Sequence, residues 1–334
     1  MTKIAINGFG RIGRIFFRQA HDLPRGKAGH PEFEVVAVND LGTRDNLEYL
    51  LKYDTVYKQY DKGTGNVQFF QEKDPGKLPW GDLGVDIVVE STGVFETTEK
   101  AQAHITAGAK HVVITAPAKD DVTPTMTPNV GWTDATRYTG HAITSNASCT
   151  TNATNPVVAV MMQAVGIQKA MMTTIHANTA TQSTVDGPGS KDFRFGRAGA
   201  WNIIPSTTGA AKATTRVIPE LKNKFDAVSV RVPVISGSLI DFTFLAGRPT
   251  TVEEVNEAFK KAAASPEWQG IVEATDEPIV SSDILGNPHG SIIDLGLTRV
   301  VDGDLVKVFA WYDNEWGYCA MLIKHLQEVA KILS

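Results

Sequence analysis

Cysteine is scarce in this chain, with two residues in 334. That is far too few for a disulfide scaffold. No Cys-x-x-Cys or His-Glu-x-x-His run occurs, so the usual metal-site spacings are missing and no metal is expected. Long apolar runs are missing too. The longest, Val157–Met162, stops at Gln163, against about 20 residues needed to cross a bilayer. The N-terminus has neither a signal-peptide apolar stretch nor a small-residue cleavage site. Basic charge is not in excess: 32 Lys and Arg face 37 Asp and Glu, for a net charge of −5. A bulk pull toward nucleic acid or anionic lipid is therefore not expected. A hydrophobic content of 42% against 21% charged residues excludes a disordered chain. What is left is a soluble, cytoplasmic, globular protein, long enough for about two domains.

The first half alternates strand and helix. Lys3–Asn7, Phe33–Asn39, Val85–Glu90 and His111–Thr115 read as short buried strands. Arg11–His21 and Thr97–Gly108 read as helices, and Leu23–Pro31 as a Gly- and Pro-rich loop. This order implies an α/β fold with a Rossmann-type, doubly wound parallel sheet. After about residue 150 the β-type runs lengthen: Met171–His176, Ala227–Val234, Ser238–Ala246 and Leu305–Trp311. Helices are expected at Val252–Ala264 and Tyr318–Leu333. The second half is thus expected to be an α+β domain with a mainly antiparallel sheet. Between them lies Thr179–Ile203, a long Gly-, Ser- and Thr-rich segment of the kind usually kept for function.

Gly8-Phe9-Gly10-Arg11-Ile12-Gly13 fits G-x-G-x-x-G between a strand and a helix. That is the context in which three glycines serve a tight turn, a close approach to pyrophosphate, and helix–strand packing. The helix N-terminus adds unpaired N–H groups. Asp40 ends the second strand, 27 residues beyond Gly13, where an acid can hold ribose hydroxyls. The bland alternative is that Asp40 caps the next helix. An acid at this point favours NAD over NADP, whose 2′-phosphate would meet a like charge.

Ser145-Asn146-Ala147-Ser148-Cys149-Thr150-Thr151-Asn152 surrounds one cysteine with small polar side chains. A cysteine near a helix start is biased toward thiolate. Pro156 alone would start that helix near Asn155. Cys319, among Ala320, Met321 and Leu322, reads as a core residue. His176 ends a strand and can serve the thiol as base. Thr179, Thr181 and Ser206-Thr207-Thr208-Gly209 are residues suited to phosphate or to turns. Arg231 interrupts an apolar strand and therefore needs a partner.

NGFGRIGR at 7–14, STG at 91–93, SNASCTTN at 145–152, HANTATQSTVDGP at 176–188, STTGAAK at 206–212 and WYDNEWGY at 311–318 occur in order. Together they resemble the phosphorying glyceraldehyde-3-phosphate dehydrogenases of glycolysis, from residue 3 to the C-terminal helix. The resemblance implies oxidation of D-glyceraldehyde 3-phosphate to 1,3-bisphosphoglycerate, with NAD reduced and inorganic phosphate consumed. Cys149 would form the thiohemiacetal and thioester, with His176 as base. Gly8, Gly10, Arg11, Ile12 and Gly13 would hold the NAD pyrophosphate and Asp40 the adenosine ribose. Thr115 would also contact the cofactor, and Asn314 would fix the nicotinamide carboxamide. Ser148, Thr150, Thr208 and Gly209 would bind the attacking phosphate, and Thr179 and Arg231 the substrate's C3 phosphate. It further implies an NAD-binding domain at 1–148, completed by a C-terminal helix at 315–334, and a catalytic domain at 149–314. A homotetramer is implied as well, with residues 178–201 bordering a neighbouring subunit's cofactor.

The chain departs from the family pattern in four places. Residues 57–73 are shorter and the Leu23–Pro31 loop is longer. Lys73 replaces a frequent arginine, and Val234-Ile235-Ser236-Gly237 replaces a T-x-x-V type stretch. Two alternatives are an erythrose-4-phosphate dehydrogenase and an NAD-binding redox sensor without turnover. The first is disfavoured by STTGAAK. The second is disfavoured by the joint presence of His176, Arg231 and the threonines.

Overall fold

A computed structural model describes residues 1–22, 33–130, 140–189 and 192–333. The Leu23–Pro31 loop lies outside them. The chain forms two compact units, one of Met1–Ser148 with Cys319–Ser334 and one of Cys149–Tyr318.

The first unit is built on six parallel strands: β1 (Thr2–Asn7), β2 (Phe33–Asn39), β3 (Gln68–Phe70), β4 (Ile87–Glu90), β5 (His111–Ile114) and β6 (Ile143–Ser145). Their order is β3-β2-β1-β4-β5-β6. The chain starts in the middle and runs outward to each side, so the order reverses beside β1. In such sheets the crevice at the carboxyl strand ends is the ligand site. Strands β4 and β5 are buried throughout, as expected for a parallel sheet covered on both faces. The helices are α1 (Arg11–Asp22), α2 (Arg44–Lys52), the single turn α3 (Trp80–Leu83) and α4 (Thr98–Thr106). Thr97 caps α4 by accepting from Lys100 N–H, the expected N-cap chemistry.

The second unit carries the helices α5 (Cys149–Ala164), α6 (Ala210–Val217) and α7 (Val252–Ala264). Its sheet comprises β7 (Ile167–Ala177), β8 (Ile204–Thr207), β9 (Phe225–Val232), β10 (Ser238–Ala246), β11 (Val272–Thr275), β12 (Ser291–Val301) and β13 (Leu305–Tyr312). The order is β8-β9-β7-β10-β13-β12-β11. Most neighbours are antiparallel, while β9–β7 and β11–β12 are parallel. Along β10 burial alternates strictly, the pattern of a sheet with one face on a core. Helix α8 (Trp316–Leu333) follows.

The start near Asn155 that Pro156 alone would suggest is not taken, and Cys149 lies at the helix start. Pro156 lies inside α5. An interior proline costs about 3 kcal/mol locally. Here the continuous burial of Thr150–Val158 favours the helix more than the proline opposes it.

Candidate functional site

In the first unit the glycine turn joins β1 to α1. Gly8 has φ +94°, and a Cβ on it would meet the Ser91–Thr92 backbone at 2.7 Å. A Cβ on Gly13 would lie 2.2 Å from the Gly8 carbonyl, whereas one on Gly10 would meet nothing within 4 Å. The first and third glycines therefore serve packing. The second leaves room at the amino end of α1, where Arg11 and Ile12 open the helix. A diphosphate fits such a cradle. Asp40 Oδ2 accepts from Phe9 N–H at 2.6 Å and Oδ1 from Gly42 N–H at 2.8 Å. Thr43, not Asp40, is the N-cap of α2. Each Asp40 oxygen keeps a further lone pair with which to accept from a ribose hydroxyl. Thr115 directly follows β5 and bonds Glu90 O through both its amide and its hydroxyl.

Two braces of this turn escaped sequence reasoning. Arg14 is buried and donates to Phe9 O at 2.7 Å. Glu90, 1% exposed, is the second. Its Oε2 takes Asn7 Nδ2 at 2.6 Å and His104 Nε2 at 3.0 Å, and its Oε1 takes Thr92 N–H at 2.9 Å and the Thr92 hydroxyl. Trp80 Nε1 donates to His104 Nδ1 at 3.0 Å. Indole can only donate, so the His104 proton sits on Nε2 and faces Glu90. Glu90 and His104 are unremarkable in sequence because nothing local distinguishes them from surface residues.

In the second unit Cys149 is the first residue of α5 and partly buried. Its Sγ lies 3.3 Å from His176 Nε2. His176 is near the end of β7, and the parallel register sets Arg231 of β9 opposite it. Arg231 Nη1 lies 2.8 Å from His176 Nδ1, 3.3 Å from Ala177 O and 3.5 Å from Thr179 Oγ1. The structure thus gathers Cys149, His176, Thr179 and Arg231. His176 Nδ1 also lies 2.7 Å from Ala177 O. Ala177 O needs a proton on Nδ1 and the Arg231 N–H needs a lone pair there, so the two contacts exclude one another; in the tautomer that gives the Nδ1 proton to Ala177 O, His176 presents a basic Nε2 to the thiol. Burial, with Arg231 adding to it, pushes the His176 imidazole down to about 3. Burial likewise pushes the Cys149 thiol up, against the pull of Arg231 and of hydrogen bonds at the helix start. The Nε of Arg231 is buried with no hydrogen-bond partner, a donor that an anion would satisfy.

The other expected residues are placed less tightly. Thr208 accepts from Ala210 N–H at 3.2 Å, and Gly209, with open space around it, is the N-cap of α6. The Thr150 hydroxyl turns to Tyr312 Oη at 3.0 Å, which also meets Thr174 at 2.8 Å. Ser148 is partly buried, directly before α5, and the preceding Ala147 has φ +55°, a sparsely populated conformation for alanine. Asn314 follows β13 and is buried, its Oδ1 accepting from Gly237 N–H at 3.1 Å and Ser238 Oγ at 2.9 Å. Among the described residues no His, Cys, Asp and Glu cluster could hold a metal ion, and no helix is long and apolar enough to cross a membrane.

Two family models match the chain. Residues 2–98 match the glyceraldehyde 3-phosphate dehydrogenase NAD binding domain, and residues 148–314 match the C-terminal domain. Similar curated proteins include glyceraldehyde-3-phosphate dehydrogenase 2 of Streptomyces arenae, 47% identical over 96% of each chain. The enzyme of Mycobacterium avium is 46% identical over 99% of each. Glyceraldehyde-3-phosphate dehydrogenase 1 of Kluyveromyces lactis is 46% identical over 99% of this chain and all of its own.

Proposed function

The chain belongs to the glyceraldehyde-3-phosphate dehydrogenase family, and from that premise we infer which of its residues carry the chemistry. The reaction is NAD-dependent oxidation of D-glyceraldehyde 3-phosphate, with inorganic phosphate, to 1,3-bisphosphoglycerate. Cys149 Sγ adds to the aldehyde carbon as His176 Nε2 takes the thiol proton and returns it to the former carbonyl oxygen, which gives the thiohemiacetal and leaves the imidazole neutral. Bound NAD supplies the hydride acceptor. As hydride leaves the carbon, His176 removes the hydroxyl proton and a thioester remains on Cys149. Phosphate oxygen then attacks the thioester carbonyl, the acyl phosphate departs, and the thiolate returns. The observation carrying this reading is the 3.3 Å contact of Cys149 Sγ with His176 Nε2 at the start of α5.

Thr179 and Arg231 hold the C3 phosphate, a role supported by the unpartnered Arg231 Nε beside the base. Thr208, Gly209, Ser148 and Thr150 receive inorganic phosphate. Thr150 contributes through its amide, since its hydroxyl is engaged with Tyr312. Gly8, Gly10, Arg11, Ile12 and Gly13 cradle the pyrophosphate, Asp40 takes the ribose, Thr115 lines the cofactor site, and Asn314 Nδ2 donates to the carboxamide. The dinucleotide domain is 1–148 with the C-terminal helix 315–334, and 149–314 is the catalytic domain.

The protein works as a cytoplasmic homotetramer. Support for assembly comes from Val185, Phe193, Trp201 and Ile203, which are 70–85% exposed on one segment. So many large apolar side chains call for a covering surface. Light scattering after size exclusion tests the tetramer, and cell fractionation the compartment. The catalytic reading is tested by mixing enzyme, NAD and aldehyde without phosphate. Peptide mass analysis should find the acyl group on the Cys149 peptide. Acylation on the Cys319 peptide, or none, would refute it.

A further inference from the structure

Ser238 opens β10 and is 1% exposed. Ala177 N–H donates to its Oγ at 3.0 Å. A backbone N–H can only donate, so the hydroxyl proton must point elsewhere. It points to Asn314 Oδ1 at 2.9 Å, which also receives Gly237 N–H at 3.1 Å. The carbonyl of the same Ala177 lies 2.7 Å from His176 Nδ1. One buried hydroxyl thus links Ala177, the residue whose carbonyl meets the base, to the amide of Asn314.

We propose that Ser238 is a positioning residue for the dehydrogenase reaction. It fixes the Asn314 amide with Nδ2 as the donor offered to the nicotinamide carboxamide, and ties that amide to Ala177, whose carbonyl meets His176. The proposal rests on the reading of Asn314 given above.

The two donors leave Asn314 a single orientation. Gly237 N–H and the Ser238 hydroxyl both need an acceptor, so the carbonyl end of the amide must face them and the NH2 end must face away. Without the hydroxyl only Gly237 holds the amide, which can then rotate and present oxygen in place of NH2. The segment that departs from the family pattern supplies this clamp. Gly237 has φ +91°, and a Cβ there would lie 2.4 Å from Ser281 O. Glycine alone lets the backbone turn its N–H onto Asn314. Ser236, 3% exposed, donates instead to Asp313 Oδ1 at 3.2 Å.

The test compares binding of NAD with binding of ADP-ribose, which lacks the nicotinamide, by calorimetry on the full-length enzyme. Ser238→Ala should weaken NAD about ten-fold, the order of one buried hydrogen bond, and leave ADP-ribose within about two-fold. The kcat at saturating substrates should fall as well, because the tether to Ala177 is lost with the hydroxyl. Ser236→Ala, which removes a comparably buried hydroxyl, should leave the NAD to ADP-ribose ratio unchanged. Asn314→Ala should show the same NAD-selective loss, and the double variant should be no worse than Asn314→Ala alone. If Ser238→Ala does not fold, Ser238→Cys fills the same space with a weak donor and should give the same selective loss. Equal weakening of both ligands, or of neither, in the Ser238 variant while Asn314→Ala stays selective would overturn the proposal. Absence of selective loss in Asn314→Ala would instead overturn the reading of Asn314 beneath it.

Discussion

Arg231 and His176 are register partners on adjacent parallel strands, and the guanidinium Nη1 lies 2.8 Å from the imidazole Nδ1. The same cation favours the thiolate of Cys149 and disfavours the imidazolium of His176. Burial raises the thiol, so thiolate is the minor form near neutrality and alkylation follows its fraction. Arg231→Leu should therefore slow iodoacetamide modification of Cys149 at neutral pH by about ten-fold, one pKa unit for a nearby charge. An unchanged rate would remove Arg231 from the electrostatics of the thiol.

The two cysteines should behave differently. Cys149→Ser should abolish turnover while NAD binding survives. Cys319 is fully buried in the first unit, with its Sγ 3.6 Å from Ile12 O, and Cys319→Ser should leave activity near wild type. Removing the base by His176→Asn should slow acylation by about 10²–10⁴-fold. Stopped-flow measurement of the first turnover separates these effects from phosphate attack. Similar losses from the two cysteine substitutions would mean the nucleophile is misassigned.

Much of this site is legible in the sequence because its signals are local. A glycine turn between a strand and a helix needs only neighbours, and Phe33–Asn39, Ser238–Ala246 and Val252–Ala264 form within the limits their periodicity predicts. Non-local partners are not legible. Glu90, His104 and Trp80 meet only after β4, α3 and α4 pack, and Asn7 and Thr92 join them at one carboxylate. The start of α5 was obscured by Pro156, whose local preference yields to burial. The altered stretch 234–237 could be noticed as a departure, but its contact with the Asp313–Asn314 corner depends on sheet register.

Acid should destabilise the protein earlier than its carboxylates alone would cause. Burial pushes His111 down to about 4, His325 to about 3 and His176 to about 3. Below about pH 6.5 the unfolded chain binds protons at these positions and the folded chain does not, so stability falls with falling pH. The loss approaches about 1.4 kcal/mol per pH unit for each histidine and ends near its folded pKa. His325 bonds Thr144 at 3.0 Å within the first unit. His325→Gln should flatten the slope of unfolding free energy against pH between about 6 and 5 by one histidine's share. Urea titrations across that window check it, and a slope identical to wild type would mean that His325 titrates normally in the fold.

Cofactor choice should follow Asp40. Its carboxylate is held by Phe9 and Gly42 amides, so it cannot swing away from a 2′-phosphate without breaking those bonds. Wild type should prefer NAD strongly. Asp40→Ala should weaken NAD without creating good NADP use, because removing repulsion supplies no attraction. A hydroxyl added by Pro188→Ser in the same chain should help NADP further. Comparison of kcat/KM for both cofactors in wild type, Asp40→Ala, Pro188→Ser and the double variant decides it. Equal wild-type use of NAD and NADP would contradict the assignment of Asp40.

Steady-state NADH formation from D-glyceraldehyde 3-phosphate, with and without inorganic phosphate, tests the account most directly. With phosphate, turnover should be sustained. Without it, NADH should stop after about one equivalent per active site, because the Cys149 thioester awaits its acceptor. Cys149→Ser should give neither phase, and erythrose 4-phosphate should be the poorer substrate. Sustained turnover without phosphate, or turnover by Cys149→Ser, would contradict phosphorylating thioester catalysis at Cys149.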